Sequence, residues 1–162
     1  MLTRKPFALA MLAAALAVTV STARAQDEPG NSSGEKEAEF IAVLRSDAPA
    51  AQKAITCKQL AIYGSSAAVS DLAKLLPDPQ LSSWARIALE AIPGPEADEA
   101  LRQATREVEG RLLIGMLNSI GVRRDAAAVE LLTQRLQDQD VEVAAAAAVA
   151  LGHIGPRDQV TP

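Results

Sequence analysis

Apolar residues along this chain recur at helical spacing, and the pattern is then written a second time. Val69, Leu72 and Leu76 stand three and four residues apart, which puts them on one side of a helix. Sixty residues later Ala67, Ala68, Val69, Leu72, Leu76 and Asp78 return as Ala127, Ala128, Val129, Leu132, Leu136 and Asp138. Six matches at one offset mark an internal repeat. Between the two copies the same alternation of apolar stripe and turn continues. A first unit pairs a helix over 50–63 with one over 66–76, and a second pairs 81–92 with a helix opening at Pro95 whose apolar face is Ala97, Leu101, Ala104 and Val108. A third pairs 111–120 with 126–136, and a fourth offers only 141–154.

Turn chemistry punctuates the units. Gly64, Pro93, Gly121 and Gly155 follow the first helix of each unit at intervals of 29, 28 and 34 residues, room for two short helices and two turns. Gly64 reads as a left-handed helix cap. Asp78 is placed to cap the next helix with Pro79 in its first turn, Gly94 and Pro95 make a turn and a helix start, and Asp125 reads as an N-cap. The longer third interval holds the extra Val122, Arg123 and Arg124, so the arginine doublet is expected in a turn. Ahead of the units, Phe40, Ile41 and Leu44 form a short entry helix ending near Asp47, Ala48 and Pro49.

The phrases ALEAIP, LNSIG and ALGHIG, each next to an Asp-bearing loop and an Ala/Val/Leu helix, carry a resemblance. Over about residues 38–155 the chain resembles the HEAT-repeat superfamily, in the short-unit HEAT-like form of exported bacterial proteins. The resemblance implies an all-α fold, an α-solenoid of antiparallel helix pairs with about three and a half units. Its motif positions are packing positions, so it implies fold and says little of function. The units are shorter than the ~40–47 residues of standard HEAT repeats, and the tryptophan-to-proline signature of tetratricopeptide units is missing. Short repeats of this kind also occur in the bilin-lyase family. Nothing here matches that family beyond the repeat, and one histidine behind an export signal speaks against pigment attachment.

The ends of the chain are of another kind. Arg4 and Lys5, an apolar run from Phe7 to Val20, and Ala23-Arg24-Ala25 form a secretory signal over 1–25. The run is shorter than the ~20 residues that span a bilayer, so no membrane span is expected after cleavage. Residues 26–36 are polar and rich in Gly, Ser and charge, and read as a flexible linker to the repeat domain over 37–155. Residues 156–162 form a tail or a truncated next helix. Solenoid ends need a polar cap. The helix over 141–154 offers none, so the sequence implies a fragment of a longer array, or an end that docks on another chain or on a second copy.

Charge narrows the partners. Losing Arg4, Lys5 and Arg24 with the signal takes the net charge from −4 to −7. Nucleic acid needs clustered cations and is not expected as a ligand. Cys57 is the single cysteine, read as a buried small hydrophobe. Only Phe40, Tyr63 and Trp84 are aromatic beyond the signal, so burial falls to alanine and leucine in closely packed layers.

No arrangement of residues calls for chemistry. His153 is the lone histidine, aligned in the repeat with Ile62, Ala91 and Ser119, which excludes the common triads and zinc sites. Cys57 and His153 lie about three units apart, too far to act as thiol and base. Asp47, Asp78, Asp125 and Asp138 each precede a helix, where capping accounts for them. Glycines stand singly and make no phosphate loop. The reading is a protein that is not an enzyme and holds no cofactor or metal.

What remains is a surface. Arg123 and Arg124 either pair with Asp125 or a neighbouring acid, or grip an anionic partner. Trp84 with Arg86 is packing or an interface anchor. Lys74, Arg102, Arg106, Gln134 and Arg135 lie on second helices that would line one side of the array. The function expected is an exported (periplasmic or extracellular) non-catalytic module that binds or scaffolds a protein partner. The alternative is an accessory repeat region of a larger exported enzyme or complex, whose catalytic part lies outside this chain.

Overall fold

A computed structural model describes residues 29–155, with side chains from residue 33 onward. The stretches expected to be a signal (1–25), the start of a linker (26–28) and a tail (156–162) lie outside the described residues. Eight α-helices follow one another: α1 (Pro29–Arg45), α2 (Ala50–Tyr63), α3 (Ser66–Ala73), α4 (Ser82–Ala91), α5 (Pro95–Ala104), α6 (Gly110–Arg123), α7 (Val129–Arg135) and α8 (Val141–Ile154). A 3-10 turn, Ala126–Ala128, leads into α7, and there is no strand among the described residues. The fold is all-α, with the helix pairs where the apolar stripes place them.

Packing follows from those stripes. α2 lies against α4, α4 against α6 and α6 against α8, while α3 lies against α5 and α1 covers both α2 and α3. Leu60, Leu89 and Leu117, at matching positions in successive units, are all fully buried, as are Leu72, Leu101 and Leu132 on the second helices. Each contributes about 1.5–3 kcal/mol of burial.

The sixty-residue repeat extends to the hydrogen bonds. Ser65 Oγ accepts from the Ala67 N–H at 3.2 Å, and Asp125 Oδ1 accepts from the Ala127 N–H at 3.0 Å. Asp78 Oδ1 likewise accepts from the Gln80 N–H at 2.7 Å, and Asp138 Oδ1 from the Asp140 N–H at 3.1 Å. The two stretches therefore start and stop their helices by the same local chemistry. At α5 the sequence is equally direct: Gly94 adopts φ 108°, Pro95 opens the helix, Glu96 and Asp98 sit in its first turn and Arg102 in its last.

Several local expectations are corrected. Residues 29–36 belong to α1 rather than to a linker. Just beyond it the buried Glu37 carboxylate accepts from the Ser65 N–H at 2.6 Å and from its hydroxyl at 2.9 Å, and Lys36 Nζ stands 5.1 Å from the Tyr63 ring centre. Gly64 is extended (φ −74°, ψ 147°), not left-handed; a Cβ there would lie 2.3 Å from Leu60 O and 3.0 Å from Ile92 Cδ1, so the glycine serves close approach. Gly121 is inside α6, not in a turn, and a Cβ would lie 2.8 Å from Ala150 Cα on α8. Asp78 caps a turn that precedes α4, which begins only at Ser82, and Ser46 rather than Asp47 takes the Ala48 N–H at 3.2 Å.

The arginine doublet is also not a plain turn. Arg123 ends α6, and Arg124 is left-handed at φ 56°, ψ 44°. The Arg124 N–H reaches Gly121 O at 3.0 Å and the Asp125 N–H reaches Ile120 O at 3.2 Å, a Schellman closure with arginine where glycine is usual.

Candidate functional site

The second helices border two open furrows. One, of about 1090 Å³, runs between α5 and α7 over a floor that includes Leu113 and Val143. The other, of about 750 Å³, runs between α3 and α5 over Val69, Ala73, Ala100 and Ala104. Glu99 borders both. Arg102, Arg106, Gln134 and Arg135 all line the α5/α7 groove, and Lys74 stands at the rim of its neighbour. The tertiary structure thus brings together four residues that are up to 33 positions apart in the chain.

Guanidinium groups tie the walls of the α5/α7 groove to each other. Arg102 on α5 donates to Glu99 at 2.6 Å and to the buried Asp125 that caps the 3-10 turn before α7. Burial works against the Arg102 charge, but the bonds to Glu99 and Asp125 outweigh it and leave its pKa raised. Arg135 on α7 donates to Asp138 at 3.0 Å and to Thr105 O, at the end of α5, at 3.3 Å. These two arginines are consequently both lining and framework. The side chains of Arg106 and Gln134 are exposed and make no hydrogen bond or close ion pair among the described residues, and although the Arg106 charge helps to hold the Glu99 carboxyl low, their donors and acceptors face the groove.

Sequence reasoning missed the other half of this lining. Glu99, Glu109, Glu130, Asp138 and Asp140 also face the groove, which is therefore mixed in charge rather than basic. Helical spacing held a partial signal, since Glu99 and Arg102 are three apart on α5, with Arg106 in the turn just past its end, and Glu130 and Gln134 are four apart on α7. That Asp138 and Asp140 close the end of the groove depends on how α7 turns into α8.

The remaining candidates sit elsewhere. Arg123 is 8% exposed and turned inward: it donates to Leu89 O and Ile92 O at 2.6 Å each, to Gly94 O at 2.8 Å, and to the Asp98 carboxylate. It is the cap on the C-terminal end of α4, whose last carbonyls lack helical partners. Arg86 lies between α4 and α6, donating to Gly115 O at 3.0 Å and Ser119 Oγ at 2.9 Å, while the Ser119 hydroxyl donates to Glu90 at 2.6 Å. Burial pushes the Arg86 pKa down, with Glu90 opposing. Gly115 makes the room, because a Cβ there would lie 2.8 Å from Arg86 Nε. Trp84 packs on the core with Lys58 Nζ 5.1 Å from its ring centre, and Arg124 is exposed at the end of α6.

Cys57 is fully buried on α2, and burial pushes its thiol up to about 11. His153 is exposed on α8, with α4 and α6 between the two helices. Among the described residues no three His, Cys, Asp or Glu side chains group in a way that could hold a metal ion, and no helix is long and apolar enough to cross a membrane. No known protein-family model matches the chain, and no curated protein is similar to it.

Proposed function

We propose that this chain is an exported, non-catalytic binding or scaffolding module, built as a HEAT-like α-solenoid, and that its partner lies in the groove between α5 and α7. The fold reading is supported by contacts between alternate helices and by caps repeated at an offset of sixty. The observation that carries the function is the convergence of Arg102, Arg106, Gln134 and Arg135 on one groove, two of them with unused hydrogen-bonding capacity. Arginine forks and side-chain amides recognise carboxylates and peptide groups, and the neighbouring carboxylates add acceptors for a partner's donors. A protein segment of mixed charge suits such a lining.

The test separates binding from folding by changing only uncommitted residues. Arg106→Ala with Gln134→Ala is expected to leave thermal stability unchanged and to lose partners that the unaltered chain retains in affinity capture from an envelope fraction. Identical retention by both proteins removes the groove from consideration. Export is tested separately, by fractionation and by the intact mass of the secreted product, which should lack residues 1–25.

A further inference from the structure

The furrow between α3 and α5 differs in kind from the groove beside it. Ser66, Val69 and Ala73 border it from α3, and Glu96, Ala100 and Gln103 from α5, all at spacings of three and four, so the furrow follows both helices along their length. Glu107 extends the α5 side in the turn just past the helix. The furrow lies inside the array, with α1 packed on α3 and α6 on α5. Its floor is alkyl: Val69 and Ala104 are 6% and 5% exposed, and Ala73 and Ala100 are half-buried. These side chains are small, and the space above them, about 750 Å³, takes larger ones.

The rim is acidic. Three glutamates, Glu96, Glu99 and Glu107, stand against one lysine, Lys74. Lys74 Nζ is held by the buried Asp71 at 3.0 Å, and Glu99 accepts from Arg102 at 2.6 Å and from Gln103 at 2.8 Å. Glu96 and Glu107 are exposed and make no hydrogen bond or ion pair among the described residues. They are eleven positions apart, about 16 Å at helical rise, which is three turns. The unspent charge on the rim is therefore negative and sits at the two ends of the apolar floor.

What fits this lining is a helix. The N–H and C=O groups of α3 and α5 are spent within those helices, so an extended peptide laid on the alkyl floor would bury backbone groups without partners. A helix brings its own bonds and presents an apolar stripe, and cations three turns apart on that stripe would meet Glu96 and Glu107 together. We propose that the α3/α5 furrow is a second binding site, which takes an amphipathic α-helix of a partner protein whose aliphatic stripe is bracketed by lysine or arginine. The inference is independent of the α5/α7 groove, where arginines and amides offer donors to carboxylates and peptide groups. Three turns of helix cover roughly half of the ~800 Å² per partner of a standard interface, so one such helix binds weakly, with a Kd on the order of 100 µM.

The probe is an alanine-based helical peptide, stapled on its far side, with two lysines eleven residues apart and two leucines between them on the same face. Fluorescence anisotropy against the full chain should show saturable binding near about 100 µM, and binding at least about ten-fold weaker when both lysines are glutamate or when a central proline breaks the helix. Glu96→Lys with Glu107→Lys, at exposed positions, should reverse the preference between the lysine and glutamate peptides while the chain still melts cooperatively. Arg106→Ala with Gln134→Ala should leave the lysine peptide bound as before; a loss there would move its site to the other groove. Equal affinity for both peptides, undiminished binding of the proline peptide, no reversal by the double lysine variant, or no saturation below about 1 mM would each overturn the proposal. So would a dimer that the double lysine variant abolishes, which would give the furrow to a second copy, or peptide binding only after removal of residues 1–25, which would give it to that segment.

Discussion

Replacing Arg123 with methionine removes a guanidinium from beneath the surface while keeping most of its aliphatic volume. Five groups then lose their donor: the carbonyls of Leu89, Glu90, Ile92 and Gly94, and the Asp98 carboxylate. Hydrogen bonds to a charged group are each worth about 1.5–3 kcal/mol, and breaking a buried ion pair costs about 3–5 kcal/mol because the surviving charge is stranded. Asp98 is 23% exposed and recovers part of its hydration, and the carbonyls near the end of α4 recover some of theirs. The net loss should therefore fall near 3–4 kcal/mol, a large share of the ~5–15 kcal/mol that holds a domain folded. Urea unfolding followed by circular dichroism and by Trp84 fluorescence measures it, as a fall in midpoint at constant slope. Arg123→Lys keeps the charge without the fork and should recover less than half. Arg106→Ala, which removes no side-chain hydrogen bond and only an exposed attraction to Glu99, should stay within about 0.5 kcal/mol of the parent. A loss below about 1 kcal/mol for Arg123→Met would refute the assignment of this residue as a helix cap and return it to the surface.

Arg124→Gly should stabilise the protein by about 1 kcal/mol, since the left-handed backbone costs a residue with a Cβ about 1–2 kcal/mol and glycine's greater unfolded freedom offsets only part of that; a lower thermal midpoint would contradict it. Gly121→Ala should cost about 1–3 kcal/mol, although alanine is the better helix former, because its Cβ would meet the α8 backbone at Ala150; a rise in midpoint would show that α6 and α8 are not held so close. The Asp71 carboxyl is held below its usual range by the Arg45 hydrogen bond, against its own burial and with help from Lys74. A depressed folded pKa contributes stability above the unfolded value near ~3.9, and the contribution is lost as pH falls through the folded value. Asp71→Asn should accordingly destabilise at pH 7 and much less below pH ~3; an equal loss at both, by urea unfolding, would mean that charge is not the cause.

What the order of residues determined by itself is local. The three-and-four spacing of Val69, Leu72 and Leu76 sets a helix face, Pro95 after Gly94 starts a helix, and Asp125 caps the 3-10 turn that leads into α7, all through contacts within a few residues. Even the sixty-residue echo is a statement about local chemistry written twice. Only the tertiary structure decided the fate of identical letters: Val69 and Val129 occupy the same place in the repeat, but one is buried at 6% exposure and the other is 41% exposed. It also decided which arginines face outward. Arg123 and Arg86 find partners about thirty residues away, across a helix boundary, while the Arg106 side chain makes no hydrogen bond among the described residues and is left facing the groove. Burial and pairing at that range depend on how one helix lies on the next, and side-chain order along a single helix carries no record of it.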